Sequence, residues 1–250
     1  MILRRVGNKS KLAAQIVPLF PQHNLYVEPF FGAGGMFFNK PQAAHNICND
    51  LDGDVYNLFQ VLLERPAELY DLMLLAPYHN DLFQFWKKNT EADPLRKAAR
   101  FLFLSNYSYM GKSDTLNFRA ANDKQIFLDN LHPTYKKLQN VQFHNADFRV
   151  FLKSIAVREP STTFIYADPP YVGTGDNYSD SFTKTDHSDL QKALIETGCL
   201  FAISEFANDF VIETAKANGL HIHTVGERQS MKNRSTEILI MNYLPHPKLF

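Results

Sequence analysis

Asp168-Pro169-Pro170-Tyr171 is the stretch of this chain whose residue types and order could do chemistry. An exocyclic amine on a base ring is a poor nucleophile because its lone pair is delocalised into the ring. A carboxylate such as Asp168 and a carbonyl such as that of Pro169, accepting the two N–H bonds, favour the pyramidal, nucleophilic form. An aromatic ring such as Tyr171 can stack on a base taken out of a duplex. Prolines suit the task because they fix φ and hold the carbonyl still. The preceding run Phe164-Ile165-Tyr166-Ala167 reads as a buried strand. It sets the tetrapeptide at the carboxyl edge of a parallel sheet, where open α/β folds bind ligands. Taken alone, the four residues are also compatible with a strand followed by a Pro-rich turn.

A second strand-like run, Leu25-Tyr26-Val27-Glu28, leads into Pro29-Phe30-Phe31-Gly32-Ala33-Gly34-Gly35 and then a helical stretch. Glycines at such a turn let the backbone approach a ligand and supply positive φ. A dinucleotide fingerprint counted from Gly32 needs its third glycine where Phe37 stands, so the loop suits a nucleoside better than a pyrophosphate. The strand His45–Asn49 ends in Asp50, near the spacing at which an acid holds ribose hydroxyls. S-adenosylmethionine, a nucleoside without phosphates, fits this pair.

Together these residues resemble the Dam-like adenine-N6 DNA methyltransferases, the alpha group of amino-methyltransferases, over nearly the whole chain. Phe30-Phe31-Gly32-Ala33-Gly34 is similar to their cofactor motif and Asp168-Pro169-Pro170-Tyr171 to their catalytic motif. Arg4-Arg5-Val6-Gly7-Asn8-Lys9 resembles the N-terminal basic-aromatic-x-Gly-x-Lys element beside the methionine end of the cofactor, with Arg5 where the family has an aromatic residue. A guanidinium can also stack on a flat ring. Asn145-Ala146-Asp147-Phe148 is similar to the element whose acid and aromatic residue bracket the cofactor adenine; Asp147 can equally cap a helix starting at Phe148. The resemblance implies an α/β, Rossmann-like class I methyltransferase sheet with helices on both faces. It implies cofactor contacts from Arg5, Gly7, Lys9, Glu28, Phe30, Gly32, Ala33, Gly34, Asp50, Asp147, Phe148 and Asp168.

The rest of the chain reads as support for that domain plus an insertion. Lys11–Phe20 has helical spacing with Ser10 as N-cap, and Asp52–Glu64 repeats it up to Pro66. Helical patterns follow at 67–75, 82–88, 94–107 and 126–138, with a break at Met110–Asp114, before strands resume at Val141–His144, Leu200–Ser204, Leu220–Val225 and Glu237–Tyr243. Residues 1–60 and 139–250 are therefore assigned to the catalytic domain, and 61–138 to a mainly helical target-recognition lobe. In that lobe Asn106-Tyr107-Ser108-Tyr109-Met110-Gly111-Lys112 mixes amide, aromatic and cation. Asn can pair with adenine, Lys can reach guanine or phosphate, and an aromatic ring can fill the gap left by an extruded base. The segment resembles the family's recognition hairpin, shortened here, because Asp114–Arg119 lacks an Asn-x-Pro-x-Gly run. A helix end with a polar loop is the plain alternative. Gly173–Tyr178 reads as a loop able to close over a flipped base, or as a surface loop without a role.

Lysine plus arginine equals aspartate plus glutamate at 26 each, so any DNA groove must come from distribution. The first cluster (Arg4, Arg5, Lys9, Lys11) and the last (Arg228, Lys232, Arg234) coincide with the motifs and are read as DNA-facing; the middle one (Lys87, Lys88, Arg96, Lys97, Arg100) is read as a solvated face. DNA contacts are expected from Arg4, Lys11, Asn106, Tyr107, Tyr109, Lys112, Asn117, Arg119, Lys232 and Arg234. Cys48 and Cys199 lie in apolar runs and read as buried thiols, which excludes a disulfide framework and, with no third ligand near His221 and His223, a metal site. No apolar segment spans a membrane and no signal pattern opens the chain.

The expectation is thus S-adenosylmethionine-dependent methylation of adenine N6 in double-stranded DNA by base flipping. No general base is needed before attack. Asp168 is essential, and Tyr171→Phe is tolerated if stacking is the ring's main role. The expected setting is a monomer in the cytoplasm of a bacterium or encoded by a phage, with a restriction nuclease acting separately. Cytosine N4, RNA adenine, or a DNA-binding scaffold without catalysis remain the alternatives.

Overall fold

Thr163–Ala167, the strand that ends at Asp168, is buried at every position, as its β-branched and aromatic composition dictates. The computed structural model describes residues 2–5, 7–109, 114–117, 123–155, 157–172, 182–229 and 234–245. The strands are β1 (Leu25–Glu28), β2 (His45–Asn49), β3 (Val141–His144), β4 (Thr163–Ala167), β5 (Leu200–Phe206), β6 (His221–Gln229) and β7 (Arg234–Met241). Among the described residues they form one sheet in the order β3-β2-β1-β4-β5-β7-β6. The first five run parallel, and β7 is antiparallel to both its neighbours. The fold is α/β and Rossmann-like, and the order reverses between β1 and β4, where such sheets hold ligands.

Side chains alternate across the sheet. Tyr26, Phe164, Tyr166, Ala202, Leu239 and Met241 enter one apolar cluster. Val27, Ile165, Ala167, Phe201, Ile203, Ile238 and Ile240 enter the other. Both faces are therefore covered, and full burial of one large apolar side chain contributes about 1.5–3 kcal/mol.

Helices α1 (Ala13–Ile16), α2 (Gly53–Glu64), α3 (Pro66–Leu75), α4 (Asn80–Lys88), α5 (Pro94–Tyr107), α6 (Asp123–Leu138), α7 (Phe148–Ser154), α8 (Lys184–Glu196) and α9 (Asp209–Ala217) complete the order. Leu69, Met73, Phe83, Leu102, Phe103 and Leu131 of α3 to α6 share one continuous core with Tyr26 and Phe31 through Leu58 and Phe59 of α2. No helix among the described residues is long and apolar enough to cross a membrane. Cys48 and Cys199 are both buried free thiols.

Three local expectations change. The helix expected over Lys11–Phe20 is a single α-turn between two 3-10 turns, because Pro18 interrupts it; Asn8, not Ser10, caps the first turn by accepting from the Ser10 N–H at 3.0 Å. Pro66 opens α3 rather than merely ending α2. The helix expected after the glycine loop is a series of turns over 32–40, since Gly34 sits at φ 70° and breaks the helical path at its start.

Candidate active site

The glycine loop after β1 is shaped by the acid after β2. Asp50 Oδ2 accepts the Gly32 N–H at 2.5 Å and Oδ1 accepts the Asp52 N–H at 2.9 Å. Burial raises the Asp50 carboxyl above its ordinary range, while both N–H donors and Arg5 act the other way. Arg5 pairs with Asp52 at 2.9 Å. Gly32 has φ 52°, and a Cβ there would meet nothing within 4 Å. That glycine faces open space. Gly34 is different, because a Cβ would fall 2.5 Å from the Phe38 ring and 2.8 Å from Phe31. Its missing side chain makes room for these two rings, and its φ of 70° is the positive value expected of a glycine at this turn.

Buried Asn49 ties the loops together, donating to the Pro29 and Ala146 carbonyls and accepting the Ala146 N–H. Asn145 donates to the Asp50 and Leu51 carbonyls at 2.7 and 3.1 Å. Phe30, Phe148 and Phe182 form an aromatic wall with ring centroids 5.5–6.1 Å apart. Asp147 caps α7 through the Arg149 N–H at 2.8 Å. Glu28, expected at the cofactor, is 2 % exposed and accepts the Tyr26 hydroxyl at 2.8 Å. Burial pushes its carboxyl up to about 8.

Asp168 lies one residue beyond β4 in a group that motif spacing does not disclose. Lys9 Nζ is 3.2 Å from Asp168 Oδ1 and 3.5 Å from Glu237 Oε1. The Tyr171 hydroxyl reaches Asp168 Oδ1 at 3.3 Å and also donates to Glu237 Oε1. Asp168 keeps 20 % of its side-chain surface exposed, against 3 % for Lys9 and 1 % for Glu237. It is the most open of the three. Burial raises its carboxyl, Lys9 lowers it, and Glu237 raises it again. Glu205 on β5 accepts the Val172 N–H at 2.8 Å and the Phe206 N–H at 2.7 Å, pinning the segment after Tyr171. Burial pushes Glu205 up to about 8 and its neighbour His187 down to about 4.

Tyr171 does not present an open ring for stacking. It is buried, with the Lys9 ammonium 4.3 Å over its face and Phe206 packed edge-on at 4.5 Å. Its hydroxyl is turned inward, between the carboxylates of Asp168 and Glu237.

The N-terminal arm carrying Lys9 is held from two sides. Asn106 donates to the Ile2 carbonyl at 2.8 Å, and Ser105 bonds the Arg4 backbone in both directions. At the glycine loop, a Cβ on Gly35 would fall 2.5 Å from Asn8 Oδ1 and 2.9 Å from the Lys9 nitrogen. Gly35→Ala is therefore expected to displace the arm and lower unfolding free energy by about 1–3 kcal/mol, as read by urea denaturation. Wild-type stability would show that the arm yields freely.

The candidate DNA contacts divide. Asn106 and Tyr107 are corrected to core residues. The Asn106 amide is committed to the carbonyls of Ile2 and Leu102, and Tyr107 packs edge-on against Tyr78 and Phe103. Tyr109 is 60 % exposed on a short antiparallel ladder, where its N–H bonds the Thr115 carbonyl and the Asn117 N–H bonds that of Tyr107. Arg4 and Lys11 are exposed. Lys112, Arg119, Lys232 and the loop Gly173–Tyr178 lie outside the described residues, as do the side chains of Arg228 and Arg234. In the middle cluster, Lys97 pairs with Asp54, Arg96 with Glu91, and Arg100 with the Trp86 carbonyl.

Sequence reading missed Glu237, Glu205, Asn49 and Gly35. The usable signal was a glutamate inside an otherwise apolar strand, Glu237-Ile238-Leu239-Ile240. The Asp168 carboxylate can accept N–H bonds, and it lies at a strand end next to the glycine loop that Asp50 holds.

A sequence model described as D12 class N6 adenine-specific DNA methyltransferase matches residues 6–231. The chain is 23% identical over 272 residues to the type II methyltransferase M1.LlaDCHI of Lactococcus lactis subsp. cremoris, covering 95% of this chain and 93% of that protein. It is 26% identical over 290 residues to the type II methyltransferase M.MjaIII of Methanocaldococcus jannaschii, covering 96% and 98%. Against the DNA adenine methylase of Escherichia coli K12 it is 29% identical over 182 residues, 68% of this chain and 64% of that one.

Proposed function

Because the chain belongs to the D12 class of N6 adenine-specific DNA methyltransferases, we propose that it draws its methyl group from S-adenosylmethionine and receives a flipped adenine at Asp168. The observation that carries this reading is the partly open Asp168 carboxylate at the strand end next to the glycine loop, where Asp50 binds the Gly32 N–H. The residues there fit a nucleoside: Gly32 leaves space, Asp50 has carboxylate lone pairs for ribose hydroxyls, and the packed rings of Phe30 and Phe148, with Asp147 beside them, offer an apolar surface and an acceptor for a base. Arg5, Gly7, Lys9 and Ala33 line the arm and loop beside it. When bound, the cofactor supplies a methyl group on a sulfonium.

Asp168 and the Pro169 carbonyl accept the N–H bonds of the adenine amine and keep its lone pair directed at the incoming methyl. Pro169 and Pro170 hold that carbonyl rigid. The amine releases its proton after alkylation, so no base acts first. The helical region 61–138 reads the duplex, with Tyr109 as the exposed ring able to fill the space of the extruded base and Asn117 at the foot of its ladder. Arg4, Lys11, Lys112, Arg119, Lys232 and Arg234 contribute phosphate contacts. The enzyme works as a cytoplasmic monomer on double-stranded DNA, as the modification partner of a separate restriction nuclease.

Incubation with unmethylated duplex DNA and S-adenosylmethionine, followed by nucleoside mass spectrometry and methylation mapping, tests the reading. N6-methyladenine at one short word supports it; absence of any methylated base on DNA sinks it. Tyr171→Phe is expected to lower kcat about tenfold, because a hydrogen bond to a charged group is lost. Wild-type turnover in that variant would return the role to the ring.

A further inference from the structure

Asp168 accounts for one end of a four-membered polar ring whose other end nothing in the reaction requires. Glu237 sits on β7 opposite Phe206 of β5 and is 1 % exposed. Its Oε1 receives both donors that also touch Asp168, the Lys9 ammonium and the Tyr171 hydroxyl. Among the described residues Glu237 Oε2 has no hydrogen-bond partner. Burying a second carboxylate here is costly, and a lysine that only paired with Asp168 would not need it.

The geometry of Asp168 shows what it does. Lys9 donates to Oδ1 and the Tyr171 oxygen lies 3.3 Å from the same atom, and among the described residues Oδ2 takes no bond. Tyr171 has one hydroxyl hydrogen, and Glu237 draws it away from Asp168. We propose that Glu237 is a positioning residue for methyl transfer: by pulling Lys9 and Tyr171 onto a second carboxylate, it orients Asp168 with one oxygen committed and the other left for the adenine amine. The cation between the two acids is the chain's own, so the arrangement needs no metal.

The inference rests on the reading of Asp168 as the amine acceptor, and it has a charge consequence. Asp168 is faced by Lys9 of the N-terminal arm, Tyr166 and Tyr171 on and after β4, Glu205 of β5, Glu237 of β7 and Glu28 of β1. Glu237 opposes ionisation of Asp168 and shares its lysine. Glu237→Gln removes the opposing charge and releases Lys9 to Asp168. If the acid limb of kcat follows Asp168, that limb must move to lower pH.

The test compares wild type with Glu237→Gln on unmethylated plasmid DNA and labelled S-adenosylmethionine across the acid limb, with calorimetry for the cofactor's demethylated product and thermal melting alongside. Expected are a kcat about tenfold to a hundredfold lower, KM values within about twofold, and the limb displaced to lower pH. Wild-type kcat overturns the proposal, as does a limb that stays in place, or a loss that comes with weakened product binding and melting. Asp168→Ala run in parallel separates the two claims. An inactive Asp168→Ala beside a fully active Glu237→Gln defeats this inference alone, whereas an active Asp168→Ala defeats the underlying reading. Should Glu237→Gln not fold, Tyr171→Phe carries the test, since it cuts the hydroxyl link and leaves both carboxylates: lowered kcat at unchanged KM supports the proposal, and wild-type kcat overturns it.

Discussion

Asp168→Ala is expected to lower methyl transfer by at least about a thousandfold while the protein stays folded. The carboxylate is the most open member of its cluster and directly follows a strand whose residues are all buried. In the proposed role, removing it takes away the acceptor for the adenine amine, and no neighbour can substitute, because Glu237 is enclosed and Glu205 is bonded to two backbone N–H groups. Stability should not fall with activity. Burial raises the Asp168 carboxyl, so the ionised form is less favourable in the folded chain than in the unfolded one. The sign follows from that: stability is fullest below the unfolded value and declines as pH rises through the folded one. Asp168→Asn should therefore melt at or above the wild-type temperature near neutrality, and an inactive variant that also melts early would undo the separation of site from scaffold. Turnover near wild type in either variant would refute the assignment.

Lys9→Met should be the most destabilising single change in the site. Lys9 is buried between two carboxylates, and removing one partner of such a group costs about 3–5 kcal/mol because the remaining charge is left uncompensated. Methyl transfer should fall with it, since Asp168 loses the donor that fixes its orientation. Lys9 lowers the Asp168 carboxyl, so its stabilising effect is present where Asp168 is ionised and vanishes where the carboxyl is protonated. Urea unfolding of both proteins should give a deficit that is large near neutral pH and shrinks on acidification. Adding Glu237→Gln should restore part of the stability, with a coupling between the sites that separate effects do not sum to. A pH-independent deficit, or strict additivity, would mean that Lys9 acts through packing of its alkyl chain.

The arm explains why residues read as DNA contacts ended in the core. Asn106, at the end of α5, has the amide that sequence reading assigned to adenine, yet it clamps the chain start through the Ile2 carbonyl. Local composition records an amide in a turn-prone stretch; whether that amide faces solvent depends on what packs over it. Tyr109, two residues beyond Tyr107, does face solvent. The helical region was legible as helices because its apolar spacing is local, and its boundaries moved by only a few residues.

By itself the sequence determined the strand that leads to Asp168, the glycine loop with its acid after the next strand, the run of helices before β3, and the kinship that these motifs carry. Each rests on neighbours within a few positions, where propensity, period-two burial and the stiffness of proline act directly. Tertiary structure alone decided that Glu237 completes the site, that Lys9 bridges it, and that Tyr171 turns its hydroxyl inward. Glu237 and Tyr171 lie 66 residues apart. They meet because β7 inserts antiparallel between β5 and β6 in one register, and a slip of one residue would turn Glu237 to the opposite face of the sheet.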